Sequence, residues 1–365
     1  MSEQFDFENS IKSHLREVLK ERGHVNVLIA GRTGVGKSTL INAIFQGDFA
    51  TTGQGRPVTQ NTREIKKEGV PVSIFDTRGL EMEDFSNTLE NLRSLVSDKR
   101  KETDANKHIH VAWLCISEDS RRIEPAEEDL VKTLSDYMPV IVVITKTRAD
   151  NGFRAEVQKI LSLAKNVVSV RAIREELDEE DIILQPKGLK ELIAITMEVI
   201  PEARKRAFVA AQKVDIKLKK NQSHLIVAGA ATSAATIAAS PIPLSDSMLI
   251  VPIQIAMLAG ISATFGLSIN ESFLSSIINT VVTAGGATLL GKAIVSGLLK
   301  LIPGIGSVAG GVIGATTAAT LTTALGKTYI TVLVTLFERN SGEAAKSEVV
   351  VETFKKQYML KAAKQ

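Results

Sequence analysis

The stretch "GRTGVGKS", Gly31 to Ser38, carries the glycine, lysine and hydroxyl spacing that holds a polyphosphate. Its glycines permit a tight turn and let backbone amides come close to an anion. Arg32, Thr33, Gly34, Val35, Gly36, Lys37, Ser38 and Thr39 form the cradle, with the amides from Gly34 to Thr39 facing phosphate oxygens. Lys37 neutralises the β- and γ-phosphates, and the Ser38 hydroxyl ligates Mg²⁺. A second cluster, "DTRG", runs from Asp76 to Gly79. Asp76 is placed to hold Mg²⁺ through a water, and the Gly79 amide to meet the γ-phosphate and report its loss. Between the two lies the polar "TGQGRPVTQNT" (52–62). Thr59 is the expected hydroxyl that reaches Mg²⁺ when a γ-phosphate is bound, with Thr62 second. The expected metal ligands are therefore Ser38, Thr59 and Asp76. Lys37, Thr59 and Gly79 stand at the reacting end of a bound nucleoside triphosphate.

These groups need a scaffold. "VNVLIAG" (25–31), "VSIFDT" (72–77), "HVAWLCI" (110–116), "VIVVIT" (140–145) and "NVVSV" (166–170) read as strands buried on both faces. Charged helical segments lie between them, the alternation of an α/β fold with a mostly parallel sheet. After residue 221 the composition turns to Ala, Gly, Ser, Thr, Ile and Leu, and no Lys or Arg occurs between Lys220 and Lys292. This half reads as an all-α hydrophobic domain. The division is an N-terminal helix (1–22), a nucleotide domain (23–200), a basic helical linker (201–220), a hydrophobic helical domain (221–340) and a charged helix or tail (341–365). The first helix is expected to pack on the nucleotide domain. The acidic run "REELDEEDI" (174–182) reads as a solvated loop or helix end.

The net charge of +3 over 365 residues and an aromatic content of 4% give no field and few stacking groups for nucleic acid, and no nucleic-acid partner is expected. The single cysteine, Cys115, fits a reducing compartment. The opening "MSEQFDFENS" has no basic and apolar leader, so a cytoplasmic location is expected.

The cradle, "RPVTQNT" and "DTRG" together resemble the Era/TrmE-like branch of P-loop GTPases, the 50S ribosome-binding GTPase type. "GLKELIAITMEVIPEARKRAFVAAQ", "PIPLSDSMLIVPIQIAML" and "IPGIGSVAGG" resemble proteins that join such a GTPase to a YcjF-like helical domain of unknown function. The resemblance implies GTP and GDP with Mg²⁺ as ligands, hydrolysis of GTP, and Thr59 as the switch threonine. It places "SVRA" (169–172) at the base, with the Ala172 amide in contact. Three departures stand out. Leu80 follows Gly79 where related enzymes carry a water-orienting glutamine. Gly34 replaces the asparagine that helps hold potassium in some relatives. The base motif is irregular. Slow intrinsic hydrolysis follows, with Arg32, Arg56, Arg63 and Arg78 as candidate arginine fingers, in cis or across a nucleotide-dependent homodimer.

In "VITKTRAD" (143–150), Thr145 and Lys146 fit a guanine motif, and Lys146 can cover the base. A carboxylate is then required, because guanine presents N1–H and N2–H₂ on one edge. Arg148 stands in the regular position and has no acceptor. Asp150 has two readings: a displaced guanine contact, if the loop bulges, or the cap of the next helix. Residues 221–340 likewise allow several readings: a soluble or partner-binding bundle, transmembrane hairpins, or a surface that rests on a membrane, for which the basic stretch before it would suit an anionic cytoplasmic face.

Overall fold

The computed structural model describes residues 7–49, 56–59, 62–77, 85–177, 182–239, 246–284 and 315–363. Arg78, Gly79, Leu80 and residues 50–55, 60–61 and 285–314 lie outside them. The chain divides into two compact units, Gly23–Asp215 and Met1–Arg22 with Ile216–Gln365.

The first unit is an α/β layer structure. Its strands are β1 (Val25–Ala30), β2 (Arg56–Thr59), β3 (Thr62–Lys66), β4 (Val72–Thr77), β5 (Val111–Ser117), β6 (Val140–Thr145) and β7 (Asn166–Ser169). They form one sheet in the order β2-β3-β4-β1-β5-β6-β7. From β4 to β7 the strands are parallel, while β2 and β3 pair antiparallel at the edge. Every residue of β1 and β6 is buried, the reason their sequences are nearly all apolar, with Asn26 and Thr145 the polar members. A separate antiparallel pair joins β8 (Glu175–Leu177), inside the run that reads as a solvated loop or helix end, to β9 (Ile182–Leu184), which begins at the last residue of that run. It lacks strand-like patterning because Ile182 and Ile183 are exposed, so no buried face marks it.

The helices of this unit are α2 (Lys37–Ile44), α3 (Phe85–Lys101), α4 (Pro125–Ser135), α5 (Phe153–Ile160), α6 (Leu189–Val199) and α7 (Glu202–Ala211); α1 (Phe7–Arg22) belongs elsewhere. Leu28, Phe75, Leu92, Leu114, Leu130 and Val142 anchor the core on one side of the sheet. In a second cluster, Trp113 stacks on Phe45 with ring centroids 5.8 Å apart, and Phe208 meets both edge-on. The Trp113 indole donates to Thr196 Oγ1 at 3.2 Å. Gln46 ties α2 to α7 through the Ala210 carbonyl at 2.6 Å. So α7, inside the basic stretch 201–220, is structural to the nucleotide unit, and that unit ends at Asp215.

Among the described residues the regular elements of the second unit are helices: α1, α8 (Ile216–Ala238), α9 (Asp246–Thr264), α10 (Glu271–Ala284), α11 (Ala315–Arg339) and α12 (Ser347–Ala363). Here α1 packs on α9 and α10. This corrects its expected place on the nucleotide domain: its periodicity shows that one face is buried, not against what. At the crossing of α8 and α11, a Cβ added to Gly326 would lie 2.4 Å from Val227 Cγ2, so the glycine sets the approach. Ser262 and Tyr329 share a buried hydrogen bond of 2.7 Å. Lys219, from the basic stretch, does not face solvent. It is fully buried, donates from Nζ to the Thr264 carbonyl at 2.9 Å and sits 5.0 Å from the Phe337 ring centroid. Burial pushes its pKa well below the usual lysine value. Within α11, Ala318–Arg339 is long and apolar enough to cross a membrane, and 61% of its most apolar window is buried inside the unit.

Candidate functional site

The phosphate loop connects β1 to α2. Gly31 has φ 142° and is pressed against β5: a Cβ there would lie 2.4 Å from the Cys115 carbonyl oxygen. Gly36, with φ 94°, turns the chain into α2 and caps it with no side chain in the way. Thr33, Gly34, Ser38 and Thr39 are exposed at this mouth, and Val35 is buried beneath it. With amides free at the start of α2 and no acidic residue in its first turn, the loop presents positive potential. Lys37 Nζ donates to the loop's own carbonyls, Gly31 at 2.6 Å and Arg32 at 3.1 Å. Arg32 Nη1 lies 3.5 Å from Glu124 Oε1, so this finger candidate is engaged within its own unit.

Asp76 is the next-to-last residue of β4, beside Ile29 of β1 and opposite Arg63 of β3. Its Oδ1 is buried and makes no hydrogen bond among the described residues. Burial raises its pKa, against the opposing charges of Lys37 and Arg63. An orphaned carboxylate oxygen beside the phosphate-loop lysine fits a Mg²⁺-bound water. Among the described residues no three His, Cys, Asp or Glu side chains cluster for a metal. Hydroxyls and phosphates would complete the shell, as is usual for Mg²⁺. Ser38 is available for this. Thr59 closes β2, its backbone registered with Thr62, and its side chain lies outside what is described. Thr62 is buried at 3% exposure in the sheet.

Next to α2 opens a cavity of about 240 Å³, walled by Gly36, Thr39, Thr145, Lys146, Arg148 and residues 170–175 among others. Thr145 Oγ1 donates to the Val35 carbonyl at 2.5 Å and approaches the Ile116 carbonyl at 3.2 Å. The Thr147 amide donates to the Val170 carbonyl at 3.2 Å, joining the two loops of the wall. Lys146 has φ 54° and is exposed at the rim. Ala172 is part of the wall.

Asp150 is not in that wall. Two residues before the N-cap Gly152, its Oδ1 accepts the Arg154 amide in the first turn of α5 at 2.8 Å, and its carbonyl accepts from Arg121 Nη1 at 2.7 Å. That contact is the one the capping reading calls for. Arg148 reaches across the cavity to Glu175: its Nε donates to Oε1 at 2.9 Å and its Nη2 meets the same oxygen. That pair holds the Glu175 carboxyl below its usual pKa. Glu118, buried at 4% exposure, receives the amides of Arg148 and Ala149 on Oε2 at 2.6 and 3.1 Å. Glu118 and Glu175 are the site residues that sequence reasoning passes over. Glu118 directly follows β5, a place where loops carry function in parallel sheets, and Glu175 is hidden in an acidic run.

Residues 26–146 match the family described as 50S ribosome-binding GTPase, and residues 202–358 match a domain of unknown function, DUF697. The tRNA modification GTPase MnmE of Aquifex aeolicus is 31% identical over 189 residues, which are 49% of this chain and 38% of that protein. The MnmE of Treponema denticola is 27% identical over 145 residues, 38% of this chain and 29% of the relative. Translocase of chloroplast 90 of Arabidopsis thaliana is 38% identical over 78 residues, 21% of this chain and 10% of that protein. The chain thus spans only about a third of the length of the MnmE proteins it matches. A solved structure titled as a probable GTP-binding protein engB is 19% identical, covering 48% of this chain and 97% of that one, with a TM-score of 0.34.

Proposed function

We propose that this chain, a P-loop GTPase domain joined to a helical domain, is a Mg²⁺-dependent switch that hydrolyses GTP to GDP and phosphate, its nucleotide state controlling the helical domain. The observation that carries the reading is the pairing of a loop built on Gly31 and Gly36 with the orphaned Oδ1 of Asp76 beside Lys37.

Lys37 exchanges its loop carbonyls for β- and γ-phosphate oxygens, and the amides from Gly34 to Thr39 hold the rest of the charge. Mg²⁺ held by Ser38, Thr59 and a water on Asp76 would draw charge from those phosphates. Water attacks the γ-phosphorus in line, the bond to the β–γ bridging oxygen breaks, and the water's proton leaves with phosphate. The Gly79 amide reports whether the γ-phosphate is present. No glutamine follows Gly79, and Arg32 is held by Glu124, so the isolated chain turns over slowly. A second copy or a protein partner supplies the missing positive charge.

The helical domain is the output, through a partner or membrane surface within 221–340, and the G domain works in the cytoplasm. Hydrogen–deuterium exchange of the full chain with GDP and with a non-hydrolysable GTP analogue tests this. Exchange in α8 to α12 changes with the γ-phosphate; identical exchange there contradicts control of the helical domain.

A further inference from the structure

The wall of the base cavity holds an arginine where guanine recognition needs a carboxylate. Guanine presents N1–H and N2–H₂ as donors and O6 as an acceptor. A reader must therefore offer an ionised carboxylate beside a donor. Arginine carries only donors, so Arg148 cannot supply the first of these. It does, however, carry a carboxylate to that position: its Nε and Nη2 both engage Oε1 of Glu175. Oε2 makes no hydrogen bond among the described residues. The Glu175 backbone is fixed by its pairing with Leu184 across the β8–β9 hairpin.

We propose, building on the nucleotide site above, that Glu175 is the carboxylate that selects guanine in this chain, presented at the base edge by Arg148. Asp150 is then a helix cap only. Arg148, and beyond it Arg171 and Lys146, keep Glu175 ionised, so that it accepts hydrogen bonds from guanine instead of donating to it. The same wall supplies the donor. Arg171 is 7% exposed and its Nε is committed to the Gln185 carbonyl at 3.0 Å. Its Nη1 is buried without a hydrogen bond among the described residues. An acceptor on the ligand, guanine O6, would satisfy it. Adenine places an amino group at that point and an unprotonated N1 against the carboxylate, and each mismatch leaves a polar group of the wall unpaired.

The test is competition against fluorescent GDP, using the full chain with Mg²⁺ and GDP, IDP, XDP and ADP as competitors. Wild type prefers GDP to ADP and binds IDP more weakly than GDP. Glu175→Gln lowers the GDP-over-ADP preference by roughly 10- to 100-fold and improves XDP, because a glutamine amide can donate to xanthine O2. Glu175→Asp, with the charge kept at shorter reach, retains part of the preference, and Asp150→Ala retains all of it. Unchanged preference in Glu175→Gln, or its collapse in Asp150→Ala, overturns the assignment. A wild type that binds GDP and ADP alike overturns guanine selection and leaves the nucleotide site standing. A wild type that binds neither refutes the site and the selection together.

Discussion

Thr145 and Val35 are joined by a 2.5 Å hydrogen bond that ties the end of β6 to the phosphate loop. Through it, the segment proposed to cover the base is linked to the segment proposed to hold the phosphates. The hydroxyl is buried, so Thr145→Val conserves shape but leaves the Val35 and Ile116 carbonyls short of a donor. The expected cost is about 1–3 kcal/mol of stability. Affinity for GDP should fall as well, because both ends of the site loosen. Urea unfolding and GDP titration of the same variant measure the two effects.

Lys37 is held at the mouth of the loop by two carbonyls and, among the described residues, by no acid in hydrogen-bonding contact. Lys37→Ala therefore leaves the melting temperature nearly unchanged without nucleotide. It should weaken GTP by roughly 100-fold or more, since the charge meets the β- and γ-phosphates. Thermal shift with and without GTP separates a lost ligand from a lost fold.

Asp76 carries a pH signature. Its folded pKa is raised above the ordinary 3.8 by burial. The folded state then holds its proton longer than the unfolded one, so this group's contribution to stability falls as pH rises from 3.8 through the raised value. Asp76→Asn removes that slope in nucleotide-free protein and, in the same variant, weakens the Mg²⁺ dependence of GTP binding. Unfolding free energies from pH 3.5 to 7, compared between wild type and variant, report the first effect.

His110 acts in the opposite sense. Its Nδ1 accepts the Asn26 amide at 2.9 Å, and burial lowers its pKa to about 4 from 6.5. Its stabilising contribution is complete above pH 6.5 and is lost as pH falls through 6.5 towards 4, on the order of 3 kcal/mol at the limit. His110→Asn should flatten acid unfolding of the nucleotide unit over that window.

In the helical unit, the 2.4 Å clearance between a Cβ on Gly326 and Val227 leaves no room for a side chain. Gly326→Val should cost about 1–3 kcal/mol by overpacking. Val227→Ala in the same chain should recover part of that loss in a double-mutant cycle of denaturant unfolding.

The parallel strands are legible in the sequence because burial on both faces leaves nearly all-apolar runs, as in Val140–Thr145. The phosphate loop is legible because its backbone geometry admits few residue types. Strand β3 and the β8–β9 pair are not, since Thr62 alone is buried in β3 and Ile182 and Ile183 of β9 are exposed. The partner of α1 and the inward turn of Lys219 depend on what lies across the chain, which local pattern does not encode. The same holds for Glu175. Its meaning comes from Arg148, 27 residues away, and an acidic run gives no sign of which member will be drawn into a cavity.

The central claim is GTP hydrolysis at the loop of Lys37 and Asp76. The most direct test is phosphate release from GTP by the full chain across a range of protein concentrations, with Mg²⁺ or with EDTA, beside Lys37→Ala. Slow release that requires Mg²⁺, rises per molecule with concentration or an added partner, and disappears in Lys37→Ala is the predicted result. Release that persists in EDTA or in Lys37→Ala, or no release under any of these conditions, would contradict it.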